Sequence, residues 1–230
     1  MDLSPLISPF YVVFLFLIPL LIITAFLKSA YFKGKFGEFL VNAFLKLFLP
    51  KSEYHPINNV TFPTHDGTTQ TDHIVVSKFS IFVIETKNLK GSIFGSPNQK
   101  TWTQKIYKHT NKFQNPLHQN YKHVKVLEDY LDVDSDSIFS VIVFIGDSTF
   151  KTDMPENVTY AWGCVKYIKS RKLIKFKDQE ISNIINKITG GILQPSFKTD
   201  IQHVSYLKQA KQSPLFENTC PKCGSTLVLR

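Results

Sequence analysis

The chain has 230 residues, is 43% hydrophobic and carries a formal net charge of +9, from 27 basic and 18 acidic side chains. This length and hydrophobic content predict one principal domain with a sizeable core. The charge favours an anionic partner, either nucleic acid or phospholipid headgroups, although a solvated basic surface near a membrane gives the same balance. Three cysteines exclude a disulfide framework, which predicts a reducing compartment for the main domain.

The first element is an apolar segment over residues 6–27, "LISPFYVVFLFLIPLLIITAFL", which contains no charge. It is long enough to cross a bilayer as a helix, and the start "MDLSP" lacks the basic region of a cleaved signal peptide, the competing interpretation. Lysines follow the segment and none precedes it, so the positive-inside rule places the rest of the chain in the cytoplasm. We therefore expect a single-pass membrane anchor carrying a cytoplasmic domain.

A helix and several short strands come next. The segment "KGKFGEFLVNAFLKLFLP" places Phe36, Leu40, Ala43, Phe44 and Leu47 on one helical stripe, with Glu38 in its first turn and Pro50 as the stop. The segments "INNVTFP", "QTDHIVVS", "SIFVIETK" and "GSIFG" predict strands, because turn-forming clusters separate them.

The second half alternates helices and strands. Residues 116–131 have apolar positions at helical spacing, with Pro116 at the first helical position. "FSVIVFIGD" predicts a strand covered on both faces, "VTYAWGCV" another strand, and "DQEISNIINKITG" a helix. Residues 193–218 are polar and Pro-punctuated and are predicted to be a linker. The order of elements predicts an α/β fold with a mixed sheet.

Asp72, Glu85 and Lys87 are the first candidates for chemistry. Glu85 and Lys87 project from the same face of one strand, because side chains alternate along a strand. Asp72 shares that face only if the intervening hairpin loop has an even length, for instance Phe79-Ser80 with Lys78 opposite Ile81. The site hypothesis therefore predicts a register.

If these side chains meet, Asp72 and Glu85 supply the hard oxygen ligands that Mg²⁺ or Mn²⁺ prefers, and the carbonyl of Thr86 is a further ligand. Lys87 would orient or deprotonate a metal-bound water, or stabilise charge on a phosphate. Glu38 could add a third carboxylate if its helix packs across the sheet. The alternative is that Asp72 ends an ordinary strand and that Glu85 and Lys87 form a surface pair, since such a loose pattern has many false matches.

A resemblance emerges from the ordered blocks "GEFLVNAFL", "TDHIVVS", "IFVIETKNLKGSIFG", Trp102 and "NPLHQNYKHVKVL". Together they resemble the nuclease-related domain, a member of the PD-(D/E)xK nuclease superfamily, from about Phe36 to about Lys151. The resemblance implies a restriction-endonuclease-like core over residues 36–192, a mixed β-sheet flanked by helices. It implies catalytic positions for Glu38, Asp72, Glu85, Lys87 and Gln119. Thr71 stands where the superfamily has proline, which leaves the carboxylate in place.

Basic residues and cysteines outside this set give two further hypotheses. Lys105, Lys108, Lys112 and Lys122 flank Trp102 and Gln119 and are candidates for contact with a DNA backbone. The segment "CPKCGSTLVLR", residues 219–230, resembles half of a topoisomerase-type zinc ribbon, in which Cys220 and Cys223 would bind Zn²⁺; an unstructured remnant is the alternative. His55, His65, His73, His118 and His123 show no metal-ligand spacing and are expected to be surface or packing residues.

The leading functional hypothesis is a membrane-anchored, Mg²⁺-dependent nuclease acting on DNA, with RNA as the less favoured substrate. The first alternative is a non-catalytic nucleic-acid-binding or interaction module held at the membrane. The second is a protein whose basic face binds anionic lipid. Convergence of Glu38, Asp72, Glu85 and Lys87 on one open site would favour catalysis.

Overall fold

The computed structural model describes residues 4–64 and 67–191. Within these residues it contains five α-helices and nine strands. The helices are α1 (Ser4–Lys28), α2 (Ala30–Phe48), α3 (Pro116–Leu131), α4 (Ala161–Ser170) and α5 (Asp178–Gly191). The strands are β1 (Tyr54–Thr64), β2 (Gly67–Ser77), β3 (Ile81–Asn88), β4 (Gly91–Phe94), β5 (Thr101–Ile106), β6 (His109–Gln114), β7 (Ile138–Ile145), β8 (Ser148–Phe150) and β9 (Val158–Tyr160). The predicted linker and the cysteine motif at 219–230 lie outside the described residues.

Two mixed sheets organise the domain. The larger has the order β1-β2-β3-β7-β9, in which β1, β2 and β3 are antiparallel neighbours and β7 and β9 run parallel to β3. The smaller has the order β6-β5-β4-β8, with a parallel pair between β4 and β8. The predicted α/β class with a mixed sheet and flanking helices is confirmed, and the arrangement is consistent with a nuclease-like fold. The second sheet was not foreseen.

Helices cover both faces of the larger sheet. One apolar core joins alternate residues of β1, β2 and β3, such as Ile74, Val76 and Val83, to Leu127 of α3 and Ile184 of α5. The core on the other face joins Val75, Phe82 and Ile84 to Val41 of α2 and Ile168 of α4. Strand β7 contributes to both cores, as its continuous apolar sequence predicts.

The register of the β2–β3 hairpin decides which residues share a face. Val76 pairs with Ile81 and His73 with Ile84, so the loop has four residues. Its even length puts Asp72 on the face of Glu85 and Lys87, as the site hypothesis requires. The specific pairing of Lys78 with Ile81 is wrong: the Ser77 hydroxyl donates to the Ser80 carbonyl at 2.8 Å and closes a longer loop. One more pair in this register places Asp72 opposite Glu85.

Two local predictions are wrong. "VTYAWGCV" forms a strand only over Val158–Tyr160 and then enters α4, because Cys164, Val165 and Ile168 are buried together at helical spacing. Glu38 is not in a first helical turn but two turns into α2. That helix begins at Ala30, where the Ser29 hydroxyl caps it by accepting from Phe32 N at 3.1 Å.

Helix α1 contains the predicted apolar segment. No single helix among the described residues is long and apolar enough to cross a membrane. Residues Val13–Lys28 of α1 and the whole of α2 meet that criterion only as a pair, with a 60° bend between them. The membrane span over residues 6–27 therefore stays a prediction.

Cys164 lies on the buried side of α4 and is 1% exposed. This burial raises the pKa of its thiol to about 12. A thiol reagent needs the thiolate and access to it. In a Cys220→Ser/Cys223→Ser background we expect no labelling of the native chain by a thiol reagent and one labelled thiol after denaturation. Rapid labelling of the native chain would contradict this burial.

Candidate functional site

The proposed catalytic residues converge where β2 and β3 lie side by side. Asp72 lies on β2, Glu85 and Lys87 on β3, and all three project toward the α3 face of the larger sheet. The Thr86 backbone N–H donates to Asp72 Oδ2 at 2.8 Å. This bond ties the aspartate to the neighbouring strand and fixes its distance from Glu85.

Lys87 makes two hydrogen bonds, one of which links β3 to α3. Its Nζ donates to Glu85 Oε1 at 2.7 Å and to Gln119 Oε1 at 2.9 Å. Glu85 is 4% exposed, so its negative charge would be costly without this cation. The Lys87 side chain is 20% exposed and therefore remains reachable from solvent. Gln119 therefore lies in direct contact with Lys87.

Glu38 approaches the group from α2. A Cβ on Gly37 would lie 2.8 Å from the Cβ of Asn88, so α2 passes against the end of β3 at a distance that only glycine permits. The carboxylate of Glu38 pairs with Lys35 at 2.9 Å rather than with a residue on the sheet. Glu38 therefore influences the site through the electrostatic effect of its negative charge on Asp72. No direct bond from Glu38 to Asp72 or Glu85 is observed.

The pKa of Asp72 is raised by its burial and by the carboxylates around it. Burial raises it well above its ordinary value, and the negative charges of Glu85 and Glu38 raise it further. The hydrogen bond from Thr86 N–H and the positive charge of Lys87 act in the opposite direction. The site therefore holds more negative charge than Lys87 balances, which is the situation a divalent cation relieves.

The donor set fits Mg²⁺ or Mn²⁺ in its chemistry. Asp72 and Glu85 provide carboxylate oxygens and Thr86 a backbone carbonyl, all hard ligands. Over residues 4–64 and 67–191, no group of three His, Cys, Asp or Glu side chains is placed to hold a metal ion. An ion here would therefore be held by two carboxylates, a backbone oxygen and water, as Mg²⁺ commonly is.

His123 is a site residue that the sequence did not reveal. Its Nε2 lies 3.7 Å from Glu85 Oε2, and its Nδ1 is 2.8 Å from the Thr69 hydroxyl. It is 7% exposed and belongs to the site rather than to the surface. The available signal was its spacing, since His123 follows Gln119 by four residues and the two share one face of α3.

The backbone of β1 is irregular opposite the aspartate. Asn58 pairs with His73 and Val60 with Thr71, so Asn59 stands opposite Asp72. Asn59 has φ +52°, a left-handed conformation that asparagine tolerates better than most residues. Strained backbone of this kind concentrates at functional sites.

Two asparagines fix α3, and hence Gln119, in place. The side chain of Asn120 is fully buried and donates to the Val83 carbonyl and the Ser140 hydroxyl, both at 2.8 Å. Asn115 caps the helix by accepting from Leu117 N at 3.0 Å. These bonds anchor one end of α3 to the larger sheet and to the chain before it.

The basic residues predicted to contact DNA lie in two places. Lys105 and Lys112 project from the same side of the β5–β6 hairpin, opposite to the side that carries buried Trp102. Lys108 is exposed in its turn. Lys122 is half-buried on α3, three residues after Gln119. The hairpin thus presents three exposed positive charges, and their contact with nucleic acid stays a prediction.

Known proteins are similar in sequence to the part of the chain that carries the site. Residues 33–145 match the sequence model of the family described as nuclease-related domain, a span that includes every residue of the candidate site. An uncharacterized protein of Bacillus anthracis is 37% identical to the chain over 187 residues, which cover 78% of this chain and 87% of that relative.

Proposed function

Because the chain belongs to the nuclease-related domain family, we propose that it is a membrane-anchored, metal-dependent nuclease that hydrolyses phosphodiester bonds of DNA. The observation that carries the proposal is the single cluster formed by Asp72, Glu85, Lys87 and Gln119. Two crowded carboxylates beside a partly exposed lysine combine a place for a cation with a group that acts on a phosphate or on water.

In this proposal Asp72, Glu85 and the Thr86 carbonyl hold Mg²⁺ or Mn²⁺. Such an ion, when bound there, would supply a water of lowered pKa and positive charge to offset the charge that develops on the phosphate. The chain's own residues orient the reactants. Lys87 places its ammonium beside the attacking water or a phosphate oxygen, Gln119 holds Lys87, and His123 lies against the second oxygen of Glu85.

Substrate binding is assigned to the basic surface beyond the site. Lys105, Lys108 and Lys112 would contact phosphates without reading sequence, and Lys122 would do so nearer to Gln119. Anchoring is assigned to the apolar segment at 6–27, with the domain in the cytoplasm. Zinc binding by Cys220 and Cys223 remains a separate proposal, because both lie outside the described residues.

The decisive experiment is cleavage of a defined plasmid by the full chain with and without Mg²⁺. We expect cutting only with the metal, and we expect Asp72→Ala to abolish it because the cation loses a carboxylate. Asp129→Ala, which removes an exposed carboxylate of α3, is the matched control and should cut like the wild type. Equal, metal-independent cutting by all three proteins would overturn the proposal. Salt-dependent DNA binding without any cutting would instead favour the non-catalytic module.

A further inference from the structure

Helix α2 is apolar on both of its sides. Gly37, Val41 and Leu45 are buried against the sheet. Four of the five residues of the stripe identified in the sequence are exposed on another side of the helix, whereas the fifth, Phe44, packs partly against the core. Together with the adjacent Phe39 they form an exposed apolar surface that faces outward from the domain. Its residues are Leu47 (75% exposed), Phe39 (63%), Phe36 (47%), Leu40 (36%) and Ala43. A large exposed apolar patch marks an interaction site, so this outward face indicates a partner.

Trp162 of α4 extends the outward face. Its ring centroid lies 4.5 Å from that of Phe48 and 4.9 Å from that of Phe44, and 64% of the residue is exposed. A tryptophan combines a large apolar ring with an N–H that stays hydrated, and it is enriched where membranes meet water. We call Phe36, Phe39, Leu40, Ala43, Leu47 and Trp162 the outward face.

The position of this face relative to α1 identifies the partner. Helix α1 ends at Lys28 and α2 begins at Ala30, so only Ser29 separates them. Described side chains of α1 such as Phe16, Leu20 and Ile22 are exposed and apolar. Since the two helices bend by 60°, insertion of α1 along the bilayer normal turns α2 toward the bilayer plane. The outward face would then emerge at the surface of the same membrane.

The charges around the outward face suit anionic headgroups. Exposed lysines surround it, and α2 and α4 contain only one acidic residue, Glu38, which is paired with Lys35. These lysines are Lys28, Lys33, Lys46, Lys51, Lys166 and Lys169. A lysine close to an anionic bilayer contributes about 1 kcal/mol of attraction, and its long side chain reaches headgroups while its stem stays apolar.

We propose that the outward face docks onto the headgroup–acyl boundary of an anionic phospholipid bilayer in which α1 is embedded. The docking rests on the proposed anchor but not on the proposed nuclease chemistry. Helices α2 and α4 cover one face of the larger sheet, whereas α3 covers the other. Docking through α2 and α4 therefore keeps the face that carries Gln119 and His123 turned away from the lipid and available to nucleic acid.

The test uses tryptophan fluorescence of the full chain in vesicles of phosphatidylcholine and phosphatidylglycerol. The chain has two tryptophans, and Trp102 is fully buried, so Trp162 is the emitter that lipid can reach. An amphipathic helix of this kind buries its apolar face about 5–10 Å into the boundary. Lipids brominated high on the acyl chain should therefore remove most of the Trp162 emission, and lipids brominated near the chain end should remove little. Trp162→Phe should abolish the response.

Two further variants test the face itself. Leu47→Glu and Phe39→Glu place a carboxylate on it without touching the core, and each should strongly reduce the quenching. Tyr107→Glu, at the exposed turn between β5 and β6, is the matched control and should leave the quenching unchanged. Equal quenching of the wild type, Leu47→Glu and Phe39→Glu would overturn the proposal.

Resistance to alkaline carbonate separates docking from anchoring. A chain that resists extraction but shows no bromolipid quenching contradicts docking and leaves the anchor intact. A chain that carbonate extracts, yet that is quenched before the wash, contradicts the anchor and therefore overturns the proposal that the outward face docks beside an embedded α1. Trp162 could also be protected from aqueous acrylamide while bromolipids fail to quench it, with the protection rising as the protein density in the vesicles rises. That result would overturn the proposal, because a second copy of this chain would then cover the outward face.

Discussion

Lys87→Met is expected to reduce metal-dependent cleavage by about 10²- to 10³-fold in kcat, the loss typical when one preorganised charge donor leaves an active site. Methionine keeps the length and apolar stem of lysine but removes the ammonium that contacts Glu85 Oε1 and Gln119 Oε1. The substrate's phosphate would then lose a positive charge at the step where negative charge develops. Single-turnover cleavage at saturating DNA and saturating Mg²⁺ measures this loss directly.

Lys90→Met provides the matched control, because Lys90 is exposed and lies three residues further along the chain. It should retain wild-type kcat. Gln119→Ala should fall between the two, since Lys87 keeps its contact with Glu85 and loses only its orientation by α3. A Lys87→Met protein with normal kcat and an altered dependence on DNA concentration would show that Lys87 binds substrate and takes no part in the chemistry.

Local sequence patterns predicted much of the secondary structure, because helix and strand formation depends largely on residues that are close together in the sequence. The helical spacing and Pro116 predicted α3 over residues 116–131, and the structure has the same bounds. The apolar run of β7 and the turn-forming clusters on either side of "SIFVIETK" likewise marked strands, which pair in parallel in the structure. The parity of the β2–β3 loop stayed open in the sequence; strict alternation of side chains only showed that an even loop is needed to put Asp72 on the face of Glu85 and Lys87, and the observed register provides it.

What the sequence did not predict depends on contacts between distant segments. The sequence of the β5–β6 hairpin is mostly polar and shows little alternation of apolar and polar residues. The hairpin is held instead by pairing of its backbone and by packing of the buried Trp102. The stripe on α2 was visible, but its direction was not, because Gly37, Val41 and Leu45 offered a second apolar side. His123 and Glu85 are 38 positions apart in the numbering, and only packing of α3 on β3 brings them together.

Asn115→Ala is expected to destabilise the domain by about 1–3 kcal/mol, because it removes a helix cap and the side-chain amide that ties α3 to the loop before β5. Asn115 is fully buried. Its Nδ2 donates within the loop before β5, to the carbonyls of Gln99 at 2.7 Å, Pro97 at 3.0 Å and Ser96 at 3.2 Å. Thermal unfolding of the full chain in detergent, followed by near-ultraviolet circular dichroism, measures the change.

Asn111→Ala is the matched control, because Asn111 is an exposed asparagine of the neighbouring strand and should change stability little. Asn115 also sets where α3 begins, and Gln119 N donates to its carbonyl at 3.1 Å in the first turn. Loss of the cap should therefore lower the nuclease rate at temperatures at which the domain is still folded, as Gln119 loses its fixed position beside Lys87. Unchanged stability in Asn115→Ala would mean that water or a shifted loop supplies the missing donors. The contact between α3 and Lys87 would then be held by Asn120 and its bonds to the sheet.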